Sequence, residues 1–425
     1  MKKIVVFGAG KSATCLIDFL IKTCEENDWE LTVADGDRAL AASKTGQSAS
    51  AKAVGVNVED EEERSALIKN ADIVISLLPP ALHSLIAGDC VAQAKNLLTA
   101  SYTDDPIREL APEIERKGLL LLCEMGLDPG IDHMSAMQLI HRIQHEGGMI
   151  NAFRSHCGGL VAPESDDNPW HYKISWNPRN VVLAGSAGAV FKEKSDIKNI
   201  PYQSLFKECG RVRMESLEEL AFYPNRDSLS YIPLYGLEGA HTFIRTTLRY
   251  PAFCDAWQHI VKAGLTNDKG VINTAALTFK QWSQPILPFV TAANERQFAF
   301  LGLFDETIVP VNAKTSADVL QYLLETRLAM QSHDKDMIVM LHEFDYTISG
   351  RQQQLTSSLI VKGEDNVRTA MAKTVGLPLG IAAKLILQGK ITVKGLHIPI
   401  IPEIYEPVMK ELEKEGIVFK ESILY

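Results

Sequence analysis

The chain has no CxxC pair. Its seven cysteines, Cys15, Cys24, Cys90, Cys123, Cys157, Cys209 and Cys254, are widely scattered, which argues against a disulfide framework and a structural zinc site. They read as reduced thiols, so no metal is expected and the cytoplasm is the expected compartment. No uninterrupted run of about 18 apolar residues occurs, the length a spanning helix needs, and no membrane partner is expected. The apolar run after the opening MKK is broken by Lys11 and reads as a first buried strand rather than a signal peptide. Positive charge is not in excess: 43 basic against 53 acidic side chains leave a net charge of −10, which makes nucleic acid a poor partner. An anionic small molecule must therefore be held by a few local arginines, because the overall field opposes it. Internal repeats and low-complexity linkers are also absent.

What is present is a soluble-enzyme composition, 46% hydrophobic and 23% charged over 425 residues, long enough for two or three domains. In the first third, IVVFG, ELTVAD, VGVNV, DIVISLLP, LLTAS and LLLLCEM alternate with amphipathic segments. Continuous apolar strands separated by helices are what a parallel sheet covered on both faces requires. The fold class read here is α/β: a Rossmann-like doubly wound sheet over residues 1–125, completed by about 393–425. Residues 126–254 and 336–392 read as a central mixed α/β domain for substrate binding and dimerisation, and 255–335 as a small helical subdomain. Within the central domain MIVMLHEFDYTISG and RQQQLTSSLIVKG predict an antiparallel hairpin turning at Gly350, followed by a helix over about 367–388. The acidic run DEEER at 60–64 reads as an exposed first turn of a helix.

The nucleotide signal is KKIVVFGAGKSA at 2–13: a strand, then Gly8, Gly10, Lys11, Ser12 and Ala13 leading into a helix. Glycines there let a pyrophosphate approach the backbone, and the helix N-terminus faces its charge. Asp35 ends the second strand where a carboxylate accepts from ribose hydroxyls and repels a 2′-phosphate. That favours NAD, with NADP possible; Asp37 competes for the role, and Arg38 for a phosphate. Ser76, Leu77 and Leu78 follow the fourth strand, and Ser101 and Tyr102 the fifth, all at the sheet's carboxyl edge. GLDPGIDH at 126–133 follows the sixth. Its Asp128 reads as an ammonium anchor or proton acceptor, or as a helix cap; Asp132 and His133 read mainly as structural. Cys157 in CGGL is a thiol placed to position or relay a proton. Arg226 in YPNRDS and Arg249 in TTLRY read as carboxylate forks, against a structural ion pair with Asp227 or Glu238. Together these features point to a dehydrogenase acting on an amino acid with several carboxylates.

With GAG at 8–10, SY at 101–102, GLDPGIDH, CGGL, YKISW, YPNRDS, TLRY, TSSL at 356–359 and MAKTVGLP in place, the chain resembles the glutamate-forming saccharopine dehydrogenase (saccharopine reductase) family over nearly its full length. The resemblance implies a homodimer, a Rossmann-like domain completed by the C-terminus, and oxidation of saccharopine to glutamate and 2-aminoadipate 6-semialdehyde. It implies cofactor contacts at residues 8–13, Asp35, Gly36, Val58, Ser76, Leu77, Leu78, Leu127, Asp128, Pro129, Gly130, Ile131 and Ser175. It implies saccharopine contacts at Ser101, Tyr102, Asp128, Arg226, Thr247, Leu248 and Arg249, with Asp128 and Cys157 as candidates for proton transfer. Fungal NADPH enzymes of this family resemble one another in an Arg and Thr after the second strand, where this chain has Asp35 and Gly36. Two other readings are a carboxynorspermidine dehydrogenase-like enzyme and a noncatalytic NAD-binding regulator.

Overall fold

The computed structural model describes every residue except 215, 216, 311 and 425, and of residue 424 the backbone alone. The chain divides into two compact units, Met1–His145 with Val367–Val418 and Glu146–Asn366 with Phe419–Tyr425.

The first unit is built on a seven-stranded, all-parallel sheet. Its strands are β1 (Lys3–Phe7), β2 (Glu30–Asp35), β3 (Ala51–Gly55), β4 (Ile73–Ser76), β5 (Asn96–Thr99) and β6 (Leu120–Leu122). With Gly395–His397 they lie in the spatial order Gly395–His397, β6, β5, β4, β1, β2, β3. Ile4, Val5, Val6 and Phe7 of β1 and all four residues of β4 are buried, the unbroken apolar run that a doubly covered strand needs. β3 falls at Ala51–Gly55 rather than on VGVNV; as an edge strand it is only half buried, so its sequence carries no continuous apolar run. The helix at DEEER is capped by Asp60, whose side chain accepts from the Glu62 and Glu63 amides. Arg64, however, is buried and paired with Asp89 at 2.6 Å.

Three boundaries differ from the sequence reading. The first unit extends through the helix Ile131–His145 and takes in the helix Ala370–Leu387. That second helix is long and apolar enough to cross a membrane, yet 72% of it is buried, which accounts for its apolarity as core. At the C-terminus, Gly395–His397 and the helix Pro402–Lys414 belong to the first unit, but Lys420–Leu424 does not. It pairs antiparallel with Arg351–Lys362 in the second unit's sheet.

The second unit carries a ten-stranded mixed sheet. Its long central strand Met149–Val161 runs parallel to Thr242–Arg249 and antiparallel to Asp336–Ile348. The expected hairpin forms, Asp336–Ile348 with Arg351–Lys362, and turns through Ser349 and Gly350, both at positive φ. Residues 255–335 carry helices and only isolated bridges among the described residues. They pack into this same unit through an aromatic core that includes Trp170, Phe253, Trp257, Trp282 and Phe298.

Candidate active site

In the first unit the chain reverses direction on either side of β1, which lies between β2 and β4. The loops leaving the carboxyl ends of these strands are where an open α/β sheet binds its ligand. Gly8 sits there at φ 104°, and a Cβ on it would lie 2.8 Å from the Leu77 carbonyl oxygen; only glycine lets the β1 and β4 loops meet so closely. Gly10 is different. A Cβ there would meet nothing within 4 Å, so the protein itself gives no reason for glycine, whereas a closely approaching pyrophosphate does. Ala13 is buried at the start of the helix Thr14–Asn27.

Asp35 accepts from the Ala9 amide at 2.7 Å and from the Asp37 amide at 2.9 Å. Its carboxylate thus ties the glycine loop to the end of β2. Asp37 is the N-cap of Arg38–Thr45, accepting from the amides of Ala39 and Leu40, so it is spent structurally. Gly36, like Gly10, has open space where a Cβ would be. Val58 is half-buried against the hydrophobic core and its carbonyl accepts from Arg64. These features fit a dinucleotide: two open glycines, a helix N-terminus and a fixed carboxylate.

Beyond β4 and β5 lies a buried polar chain that sequence reasoning missed. His83 places Nδ1 2.8 Å from Ser76 Oγ and 3.4 Å from Thr99 Oγ1, and Nε2 2.7 Å from Ser101 Oγ. Burial opposes the imidazolium and lowers the His83 pKa to about 4, with Asp104 pulling the other way. Ser76 is fully buried, with its hydroxyl on His83. Leu77 donates its amide to the Phe7 carbonyl, and Leu78 packs against the core. Ser101 and Tyr102 are half-buried. The signal for His83 was the last letter of SLLPPALH, a histidine seven residues beyond the end of the strand.

The GLDPGIDH loop closes on itself. Gly126 donates to the Pro129 carbonyl, Ile131 to the Gly126 carbonyl, and Gly130 to Asp132 Oδ1 at 2.6 Å. Leu127 and Ile131 are buried and Asp128 is half-buried, joined to Pro129 by a cis peptide. His133 is fully buried and meets Glu124 Oε2 at 2.9 Å, while Glu124 Oε1 accepts from the Thr103 amide and hydroxyl. Asp132 and His133 thus hold the loop.

In the second unit strand alternation builds a face. Cys157 on the central strand stands opposite Thr247, and Thr247 opposite Tyr223. Arg249, two residues on from Thr247, falls on the same face. The other face carries Leu248, fully buried, and His156, which meets Thr246 at 2.7 Å and Glu343 at 3.0 Å. Hydrogen bonding from His156 holds the Glu343 pKa below its ordinary value. Arg249 is 4% exposed; its guanidinium carbon lies 5.3 Å from the Tyr172 ring centre and 5.7 Å from that of Phe253. Nη1 donates to the Leu248 carbonyl, whereas Nε is buried without a hydrogen-bond partner. No carboxylate forms an ion pair with it among the described residues. Asp227, one of the partners weighed from sequence, instead accepts from the Leu229 and Ser230 amides.

Arg226 is unlike Arg249. It is exposed, at φ 52°, in a two-residue strand beside Ala189 and Val190. Ser175 is buried in the second unit. Tyr172 and Tyr223, which surround Arg249 and were quoted only inside YKISW and YPNRDS, join the candidate site. No group of three or more metal-ligating side chains occurs among the described residues.

Comparison with known proteins adds the following. Residues 4–122 match the family model described as saccharopine dehydrogenase NADP binding domain, and residues 126–417 match saccharopine dehydrogenase C-terminal domain. The chain is 34% identical to alpha-aminoadipic semialdehyde synthase, mitochondrial, of Bos taurus, covering 98% of this chain and 47% of that protein. It thus spans about half the length of the curated synthases it matches. It is 32% identical to saccharopine dehydrogenase [NADP(+), L-glutamate-forming] of Saccharomyces cerevisiae, covering 99% of each. The solved apo structure of saccharopine dehydrogenase (L-Glu forming) from Saccharomyces cerevisiae superposes with a TM-score of 0.90 at 32% identity over all of both chains. The homospermidine synthase of Legionella pneumophila shares the fold, with a TM-score of 0.58 at 11% identity.

Proposed function

Because the chain belongs to the saccharopine dehydrogenase family, we propose that it interconverts saccharopine with L-glutamate and 2-aminoadipate 6-semialdehyde in lysine metabolism, using NAD(P). The observation that carries this reading is Arg249. A buried guanidinium without a carboxylate partner is costly, and the cost is offset when a ligand carboxylate arrives. Saccharopine is a secondary amine with three carboxylates. A polyamine adduct is mainly cationic and would be repelled by Arg249, which weighs against the carboxynorspermidine reading.

Nicotinamide, with its dinucleotide held at the Gly8–Ala13 loop and Asp35, would supply the hydride acceptor for the carbon that joins the amine nitrogen to the lysine-derived chain, which becomes part of a carbon–nitrogen double bond in the substrate. Water adds across that bond and the carbon–nitrogen bond breaks, which needs proton transfers; we assign these to Asp128 and Cys157. Arg249 and Arg226 hold carboxylates, and Ser101, Tyr102 and Thr247 orient the substrate by hydrogen bonds.

Relatives of this chain carry NADP(+) in their names. For this chain we infer a preference for NAD. What supports it is Asp35, a fixed carboxylate that favours ribose hydroxyls and repels a phosphate. Homodimeric assembly and a cytoplasmic setting belong to the same proposal; seven scattered cysteines without a CxxC pair support the reducing compartment.

The test is an absorbance assay of nicotinamide reduction with saccharopine, supplying NAD or NADP, and with carboxynorspermidine in parallel. Turnover of saccharopine, faster with NAD, is expected. Retained NADH binding with no turnover of either compound would point instead to a nucleotide-binding regulator.

A further inference from the structure

The proton accounting around His83 has only one economical solution. At neutral pH its imidazole is neutral and carries a single N–H. On the Nδ1 side stand two hydroxyls, Ser76 and Thr99, both fully buried. Among the described residues Ser76 Oγ has His83 as its sole hydrogen-bond partner, and Thr99 Oγ1 otherwise only accepts, from the Ser101 amide at 3.2 Å. If Nδ1 carried the proton, it would donate to Ser76 and leave both buried hydroxyl hydrogens without an acceptor. An unsatisfied buried hydroxyl costs about 1–3 kcal/mol. If Nδ1 is instead the bare nitrogen, Ser76 donates to it and Thr99 has an acceptor in reach. The proton then sits on Nε2 and points at Ser101 Oγ, 2.7 Å away.

We propose that His83 is a positioning residue: held as the Nε2–H tautomer by Ser76 and Thr99, it fills the acceptor side of Ser101 and turns that hydroxyl into a donor toward a carboxylate of saccharopine. The inference rests on the functional reading above, in which Ser101 touches substrate. It deepens that reading by giving the contact a polarity. A hydroxyl that accepts from an imidazole N–H has its own hydrogen free for an anionic oxygen, and its donor strength is raised by the chain behind it. The opposite tautomer would direct the Ser101 hydrogen inward and present lone pairs, which repel a carboxylate. His83 therefore selects for the anionic substrate without touching it.

Two measurements test this. The first needs no activity: the nitrogen spectrum of the wild-type protein labelled at histidine, with His83 assigned by its loss in His83→Gln. Protonation at Nε2 is expected, and protonation at Nδ1 overturns the proposal even if the enzyme turns over saccharopine. The second is a mutant cycle of His83→Ala, Ser101→Ala and the double variant, with His83→Gln as the conservative replacement. The expected result is a saccharopine KM raised about tenfold in each single variant, with kcat changed far less. The double variant should be no worse than Ser101→Ala, the Gln variant should recover most of the loss, and NADH affinity should stay within about twofold throughout. Additive losses in the double variant, or an equal loss of NADH affinity, would mean that His83 only fills space. If the wild type fails to oxidise saccharopine while showing the Nε2–H signal, the functional reading fails and the hydrogen-bond arrangement stands.

Discussion

Arg249 places its guanidinium carbon 5.3 Å from the centre of the Tyr172 ring, and among the described residues no carboxylate pairs with it, so aromatic faces and the Leu248 carbonyl hold the charge. Such contacts recover only part of the desolvation cost of a buried cation. Replacing Arg249 with Met should therefore leave the ligand-free protein as stable as wild type or about 1–3 kcal/mol more stable. Thermal unfolding without ligand checks this; a marked fall in midpoint would show that the guanidinium is instead a structural partner.

Asp35 joins the glycine loop to β2 through the Ala9 and Asp37 amides. Asp35→Ser keeps an acceptor but removes the negative charge that opposes a 2′-phosphate. The ratio of kcat/KM for NADP over NAD should rise at least about tenfold, or 1.4 kcal/mol. An unchanged ratio would place cofactor choice elsewhere.

His83 also gives the fold a pH dependence with a definite sign. Its pKa falls from 6.5 to about 4 on folding. The unfolded chain therefore binds more protons than the folded chain between those values, and stability is full above pH 6.5 and lost as pH falls toward 4. At pH 5 the loss amounts to about 2 kcal/mol. Urea unfolding at pH 7 and pH 5 should show that His83→Gln loses less than wild type by this amount; an identical pH dependence in the two would contradict it.

Asp132 is buried with Oδ1 on the Gly130 amide at 2.6 Å. Asp132→Ala strands that amide and should cost about 1–3 kcal/mol. The NAD KM should rise with it, because the loop it holds carries the assigned cofactor contacts Leu127–Ile131. A variant with wild-type stability and NAD KM would remove Asp132 from this role.

The parallel sheet was legible because strands buried on both faces write continuous apolar runs, as IVVFG and DIVIS do. β3 was misplaced because an edge strand writes none. Lys420–Leu424 was assigned to the wrong sheet because IVFKESIL shows strand character but not its partner, which sits some sixty residues earlier in the chain. In the candidate site, the placement of Asp35 at the end of β2 was readable from motif position. His83 was not, since its partners come from β4 and β5 and only the fold brings them to one ring. CGGL suggested chemistry at Cys157, but its first glycine has a purely steric reason: a Cβ on Gly158 would lie 2.5 Å from the Leu248 carbonyl oxygen.

The most direct test of the central claim is calorimetric titration of saccharopine into the NADH complex of the wild-type protein and of Arg249→Met. The account predicts measurable binding in wild type, weakened about 100-fold or more in the variant, roughly 3 kcal/mol, with NADH affinity intact in both. Equal saccharopine affinity in the two proteins would contradict it.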